Sequence, residues 1–222
     1  MKPYPIFLCD LDRRRCVVIG GDHEAQRKVA GLLEVDAKVV VISETLIRAV
    51  QAMVDEGRVE WIPRDYEEGD LEGAFLVIAS ERNPERTEPI WQEANREGAL
   101  INAMDDVPHC TFVAGSTIRR GPLVVSISTS GAAPAVAVRL RQDFERRLGP
   151  EFAEYLELLG SLRDDMLDLH PVFEERRRIW YELADSDLLD LVREGRNEEA
   201  RRRIEELSGI VISAESVEEE GL

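Results

Sequence analysis

Short apolar runs alternate with helical patterns over the first half of this 222-residue chain. Residues 16–19 form an apolar run that ends at Gly20-Gly21, residues 25–33 carry apolar positions at helical spacing, and residues 38–42 form a second β-branched run. This order predicts a β-α-β unit. Strands are also predicted at 59–62, 74–79 and 99–103, and helices near 44–56 and 89–97. Because strand runs such as 75–79 are apolar on both faces, we expect a parallel sheet with helices on either side.

The pattern changes after residue 106. Strands are predicted at 112–113 and 123–128, and a helix at 135–148 that ends at Gly149-Pro150. Beyond Pro150 the spacing predicts helices at 151–169, 172–184, 187–194 and 198–207. We therefore predict an α/β protein with a Rossmann-like parallel sheet in residues 1–113, a small α+β segment in 114–149 and a helical domain in 150–213. The acidic end, residues 214–222, is predicted to be a disordered tail.

Composition narrows the class of partner. The chain has 45 acidic and 28 basic residues, a formal net charge of −17, which argues against nucleic acid because that binding depends on neutralising phosphates. No apolar run approaches the length of a membrane span, and no export signal is visible at the N-terminus. Three cysteines without metal-ligand spacing suggest neither disulfides nor a zinc site, so a cytoplasmic protein is expected.

The turn after the first predicted strand stands where a dinucleotide-binding fold places its G-x-G-x-x-G/A turn. There, backbone amides and the helix dipole can meet a nucleotide diphosphate. The candidate cofactor-binding residues in this turn are Gly20, Gly21, Asp22, His23 and Glu24. Asp22 replaces the middle glycine, and its carboxylate would repel phosphate oxygens. The alternative interpretation is a tight turn in which Asp22 caps the helix.

Other candidate residues follow the later strands, because ligands of open α/β sheets bind at the carboxyl ends of the strands. After the second strand, Glu44 could accept from ribose hydroxyls and favour NAD over NADP; alternatively, Ser43 or Thr45 caps the next helix. The candidates at this edge are Ser43, Glu44, Thr45, Ala79, Ser80 and Asn102.

Two consecutive carboxylates, Asp105 and Asp106, follow the fifth predicted strand. Such a group can act as a general base or hold a metal ion. Asp105 and His109 could share one metal ion; the alternative is that Asp105 and Asp106 form a solvated turn and His109 is an ordinary surface histidine. The arginines include Arg120 and Arg141, which can either bind carboxylates of a ligand or pair with the abundant acidic residues.

Several of these segments match one family in the same order. The matching segments are Pro5-Ile6-Phe7, Gly20-Gly21, Ala25-x-Arg27-Lys28, Ala79, Asn102-x-x-Asp105, Phe112, Arg120-x-Pro122-Leu123, Ser128-x-x-Gly131-x-x-Pro134 and Glu175-Arg176-Arg177-Arg178-x-Trp180. The chain resembles precorrin-2 dehydrogenase, the N-terminal module of sirohaem synthase, which often adds sirohydrochlorin ferrochelatase activity. The resemblance spans roughly residues 3 to 185.

The resemblance implies a homodimer in which residues 114–149 form the dimerisation segment. It implies NAD as cofactor, precorrin-2 and sirohydrochlorin as substrates, and Fe²⁺ as a possible substrate metal. The resemblance also makes Asp105 the expected general base during hydride transfer and implicates the same residue in iron insertion. Because the substrate carries many carboxylates, the implied substrate contacts are Arg120, Ser128, Thr129, Gly131 and Arg141.

Two alternatives to this activity stay open. One is a chelatase whose NAD site is degenerate, since Asp22 departs from the family's glycine. The other is a non-catalytic module that senses a tetrapyrrole or a nucleotide, because a fold does not determine function.

Overall fold

The computed structural model describes residues 2–80 and 83–212. The chain divides into two compact units between Ala114 and Gly115, one residue beyond the end predicted for the first domain. The predicted tail, residues 214–222, lies outside the described residues.

The first unit is built on a five-stranded parallel sheet. Its strands are β1 Arg15–Ile19, β2 Lys38–Ile42, β3 Val59–Ile62, β4 Leu76–Ala79 and β5 Leu100–Ala103. The strand order is β3-β2-β1-β4-β5, so the order reverses between β1 and β4. This confirms the predicted Rossmann-like class, in which the point of reversal is the usual place for a ligand.

Helices cover both faces of this sheet. They are α1 His23–Leu33, α2 Arg48–Asp55 and α3 Pro84–Glu97. Alternate residues of β1 point to opposite sides: Val18 packs with Val29 and Leu32 of α1, whereas Val17 lies in a second core with Ile90 of α3. All five are buried. The continuous apolar runs in the strands are therefore explained by burial on both faces.

Two of the predicted helix starts in this unit differ from the structure. Helix α2 begins at Arg48 instead of near residue 44, because residues 43–47 form a connection that contacts the turn after β1. Helix α3 begins five residues earlier than predicted, since the Asn83 side chain accepts a hydrogen bond from the N–H of Glu85 and caps the helix.

The second unit combines a small antiparallel hairpin with six helices in its described part. Strands β6 Ser116–Arg120 and β7 Leu123–Ile127 pair with each other. The helices are α4 Pro134–Arg147, α5 Glu151–Ser161, α6 Arg163–Leu169, α7 Phe173–Ala184, α8 Leu188–Arg193 and α9 Asn197–Ser208. A core of buried residues such as Met166, Leu183 and Ile204 joins the helices from α5 onward.

One strand prediction and one helix prediction after residue 106 were wrong. Residues 112–113 are not a strand; the hairpin instead begins at Ser116, in a polar segment where only Ile118 is buried. The helix predicted at 151–169 is two helices that meet at Leu162, a side chain buried in the core.

Across residues 2–80 and 83–212, none of the helices is both long and apolar enough to span a bilayer.

Candidate active site

Both glycines of the turn after β1 are required by close packing against neighbouring residues. Gly20 has a φ of 120°, a conformation that favours glycine, and a Cβ atom there would lie 2.9 Å from the Cβ of Ser80. A Cβ atom on Gly21 would overlap the carbonyl oxygen of Thr45. The Gly21 carbonyl accepts a hydrogen bond of 2.9 Å from the N–H of Ile47. The turn is therefore packed against the connection after β2 and against the end of β4.

Asp22 is the N-cap of helix α1. Its Oδ1 atom accepts a hydrogen bond from the N–H of Ala25 at 2.8 Å and another from the Ser80 hydroxyl at 3.0 Å. The structure shows the capping role of Asp22, and the role of this turn toward a cofactor stays a prediction. The Asp22 carboxylate also joins the turn after β1 to the end of β4, the two strands between which the order reverses.

The start of helix α1 offers backbone donors of the kind that a nucleotide diphosphate needs. In the described part of the chain, no acceptor contacts the backbone N–H of His23 or of Glu24 at the start of α1. Free N–H groups and the positive end of a helix dipole are the features that hold such an anion. The backbone of the turn therefore fits a diphosphate. The side chain of Asp22 opposes it, because a carboxylate already accepts two hydrogen bonds at this position.

The connection after β2 is held by Ser43. Its hydroxyl donates to the Thr45 carbonyl at 2.8 Å, and its own carbonyl accepts from the Trp61 indole at 2.9 Å. Helix α2 has Ile47 as its N-cap, with no capping side chain, so neither Ser43 nor Thr45 caps it. Glu44 is exposed at this edge of the sheet. Its role toward a ribose stays a prediction.

Asp105 lies two residues beyond β5, exposed at the same edge of the sheet. Its φ of 61° is unusual for a residue other than glycine, although aspartate tolerates it better than most. The neighbouring N–H of Met104 donates to the Ala79 carbonyl at 3.0 Å, which ties this turn to the end of β4. Asn102 donates through its side-chain amide to the Phe112 carbonyl at 3.1 Å. Asn102 thus holds the loop that follows Asp105.

His109 contacts two carboxylates. Its Nδ1 lies 2.7 Å from Oδ2 of Asp106, and its Nε2 lies 2.9 Å from Oε2 of Glu88 on α3. The Trp91 ring packs edge-on against the imidazole, with 5.1 Å between the ring centroids. The hydrogen bond to Asp106 and the charges of both carboxylates raise the pKa of His109. The side chain therefore links α3 to the segment after β5.

The two residues predicted to share a metal ion, Asp105 and His109, are not in contact through the imidazole of His109. The carboxylate that meets His109 is Asp106 rather than Asp105, and both imidazole nitrogens contact carboxylates. In residues 2–80 and 83–212, no three His, Cys, Asp or Glu side chains are grouped as a metal site would require. A metal at Asp105 and His109 stays a prediction, and it would require His109 to give up one of these contacts.

The candidate substrate contacts lie in the second unit, where each has a local role. Arg120 donates through Nε to the Leu148 carbonyl at 3.0 Å, and Arg141 pairs with Glu145 one helical turn later. The Ser128 hydroxyl accepts from the N–H of Ser130, and that of Thr129 accepts from the N–H of Ala133. Gly131 has a φ of 81°, so the loop before α4 depends on a glycine at this position.

Sequence reasoning missed Glu88, Trp91 and Glu93. The first two contact His109, and the third is a carboxylate only 3% exposed. These three lie on α3, at least 16 residues before His109 along the chain. The spacing of Asp106 and His109, three residues apart, could have indicated their contact. The contacts made by α3 could not be found in this way, because only the fold brings this helix close to His109.

Three family models match the chain in succession. A putative NAD(P)-binding model matches residues 7–116, the sirohaem biosynthesis protein central model matches 120–147, and the sirohaem synthase dimerisation region matches 153–207. The chain belongs to the sirohaem synthase family. The segment predicted for dimerisation, 114–149, contains the central region, whereas the model named for dimerisation matches the helices beyond it.

Curated relatives agree with this assignment. The chain is 34% identical over 183 residues to siroheme synthase of Actinobacillus pleuropneumoniae, covering 82% of this chain and 37% of the relative. It is 34% identical over 206 residues to siroheme synthase 1 of Pectobacterium atrosepticum, covering 93% of this chain and 43% of the relative. The chain therefore spans about two fifths of the length of these relatives.

A solved structure has the same fold as this chain. SirC, a precorrin-2 dehydrogenase, superposes with a TM-score of 0.77 at 20% sequence identity, covering 94% of this chain and all of that one. At this identity the match establishes the shared fold.

Proposed function

We propose that this protein oxidises precorrin-2 to sirohydrochlorin with NAD⁺ as the hydride acceptor. The observation that carries the proposal is the edge of the sheet at which the strand order reverses. There the glycine turn after β1 and Asp105 after β5 lie on either side of the end of β4. Family membership supports this choice of reaction, and so does the NAD(P)-binding model that covers the first unit.

The roles of the residues follow from the balance of the reaction. Oxidation of precorrin-2 removes a hydride and a proton, and NAD⁺ supplies a site for the hydride. The proton needs a base, and we assign that role to the Asp105 carboxylate. The turn of Gly20 and Gly21 would hold the diphosphate at the N-terminus of α1, and Glu44 would accept from the ribose hydroxyls.

Substrate binding is assigned to the second unit. A tetrapyrrole with many carboxylates calls for arginines and hydroxyl or amide donors. Our candidates remain Arg120 and Arg141, together with the loop of Ser128, Thr129 and Gly131. Both arginines have partners inside the chain, so they would bind a carboxylate by extending or exchanging those contacts.

We further propose that the protein acts as a homodimer. The match to a sirohaem synthase dimerisation region supports this. Helix α4 also carries several large apolar side chains that are at least 41% exposed, and exposed apolar patches are typical of protein–protein interfaces. These are Val136, Val138, Leu140 and Phe144.

A second candidate function is insertion of Fe²⁺ into sirohydrochlorin without the oxidation step. The Asp22 carboxylate at the diphosphate position favours it, because this position is a glycine in the family pattern. Asp105 would then accept protons from the pyrrole nitrogens. Titration with NAD⁺ separates the candidates, since a chelatase without a cofactor site would not bind it.

The proposed oxidation is tested by anaerobic incubation with precorrin-2 and NAD⁺, following the absorbance of the reduced cofactor and of sirohydrochlorin. We expect Asp105→Asn to lower turnover by about 100-fold or more, the usual contribution of a general base. Asparagine tolerates positive φ, so the turn should survive. The matched control is Asp36→Asn, an exposed aspartate with a φ of 55° before β2. Full activity of Asp105→Asn would remove the assignment, and binding without any product would indicate a sensor.

A further inference from the structure

The Asp22 side chain connects the two strand ends, of β1 and β4, between which the strand order reverses. Its Oδ1 atom accepts from the N–H of Ala25 in the first turn of α1 and from the hydroxyl of Ser80 at the end of β4. One carboxylate oxygen therefore bridges the two strand ends between which ligands of open α/β sheets bind. A bound anion would use donors of this kind.

The charge and the contacts of Asp22 both resemble those of a ligand. A carboxylate at a helix N-terminus is stabilised by the helix dipole and by the N–H groups of the first turn. A nucleotide diphosphate is stabilised there for the same reasons. Since Asp22 is exposed, its side chain has room to turn away without disturbing a packed core.

We propose that Asp22 is an internal competitor of the cofactor: its carboxylate takes the hydrogen bonds of Ala25 and Ser80 and must release them when a nucleotide diphosphate binds. The inference rests on the proposed dinucleotide site and adds its regulation. Asp22 is then a specificity-determining residue: it weakens the binding of every ligand that carries a diphosphate and does not affect the binding of ligands without phosphate.

Two substitutions separate the charge of Asp22 from its capping role. Asn caps helices about as well as Asp, so Asp22→Asn removes the charge and keeps an acceptor for Ala25 and Ser80. Asp22→Gly removes both and restores the glycine of the dinucleotide-binding pattern. Removing a like charge at about 4 Å changes an equilibrium constant roughly fivefold in bulk water, and more near a protein surface.

The experiment is isothermal titration of the full chain with NAD⁺, with ADP and with adenosine, which lacks phosphate. We expect Asp22→Asn to bind NAD⁺ and ADP at least about fivefold more tightly than the unaltered protein. Asp22→Gly should bind them more tightly still, while adenosine should bind all variants alike. The control is Asp12→Asn, the same charge change before β1 at the opposite edge of the sheet.

A second measurement tests the capping side of the competition without any ligand. Thermal unfolding should give Asp22→Asn the same Tm as the unaltered chain. Asp22→Gly should melt about 1–2 °C lower, because glycine is a slightly weaker cap and Ser80 loses its acceptor. Added ADP should then raise the Tm of Asp22→Gly more than that of the unaltered chain.

The outcomes distinguish this inference from the proposed function. If the unaltered protein binds NAD⁺ and Asp22→Asn binds it equally, the competition is refuted while the dinucleotide site stands. If no variant binds NAD⁺ or ADP, both are refuted. If only the Asp22 variants bind, the competition is supported, and the unaltered chain is better described by the chelatase candidate.

Discussion

Glu93 is the buried carboxylate on which the loop between β3 and β4 depends. Its side chain is only 3% exposed, and one oxygen accepts hydrogen bonds from the N–H groups of Gly69 and Leu71 at 3.0 and 2.9 Å. The other accepts from the Tyr66 hydroxyl. Burial and the adjacent Glu93 carboxylate raise the pKa of Tyr66, so the phenol stays protonated and donates.

We expect Glu93→Ala to lower the free energy of unfolding by about 3–5 kcal/mol. The N–H of Leu71, a residue with no exposed surface, would lose its acceptor at a cost of about 1–3 kcal/mol. Gly69 and Tyr66 are less buried and can recover water, so we count about 1 kcal/mol for each. Tyr66→Phe removes one donor and should cost only about 1 kcal/mol.

The assay is urea unfolding followed by tryptophan fluorescence, since Trp61 and Trp91 both lie in the first unit. The control is Glu97→Ala, one turn further along α3, where an exposed carboxylate accepts at 3.4 Å from Gly73. That change should cost under about 0.5 kcal/mol. A loss below about 1 kcal/mol for Glu93→Ala, or equal losses at both positions, would refute the reasoning.

Two further predictions concern the edge of the sheet. The raised pKa of His109 means that its contacts with Asp106 and Glu88 stabilise the fold fully below the unfolded pKa of about 6.5 and less as pH rises through the folded pKa. His109→Asn should therefore lower the Tm more at about pH 6 than at about pH 8.5, and equal losses would contradict it. Gly21→Ala should lower the free energy of unfolding in urea by about 1–3 kcal/mol, because its Cβ would overlap the Thr45 carbonyl. The control is Gly31→Ala on α1, where a Cβ meets open space and should stabilise the fold by about 0.5–1 kcal/mol. Equal effects of the two changes would show that the overlap at Gly21 is relieved by movement of its neighbours.

Much of the fold was predictable because its signals are local. The strands of the first unit are apolar on both faces, so their sequence alone indicates a buried parallel sheet. Strand β6 carries no such signal, since Ile118 is its only buried residue and its partner strand supplies the remaining constraint. The break at Leu162 was also hidden, because a buried leucine suits a continuous helix as well as a junction.

The sequence allowed us to predict where in the fold the candidate site lies, but not which residues contact each other there. The strand ends could be located from the apolar runs, and both roles of Asp22 could be stated in advance. Its bond to Ser80 could not, because it joins residues 58 positions apart. For the same reason, the sequence offered Asp106 as a neighbour of His109 but not Glu88, which α3 supplies from 21 positions earlier.

The hydrogen bonds of this edge form a connected series, and this explains why its residues should respond differently to substitution. The Gly21 carbonyl joins the turn after β1 to the connection after β2, Asp22 joins it to Ser80, and the N–H of Met104 joins the segment after β5 to β4. Two of these links are backbone bonds that a ligand leaves in place. Of these three links, the one through Asp22 is the side-chain bond, so it can be exchanged for a ligand while the two backbone links keep their geometry.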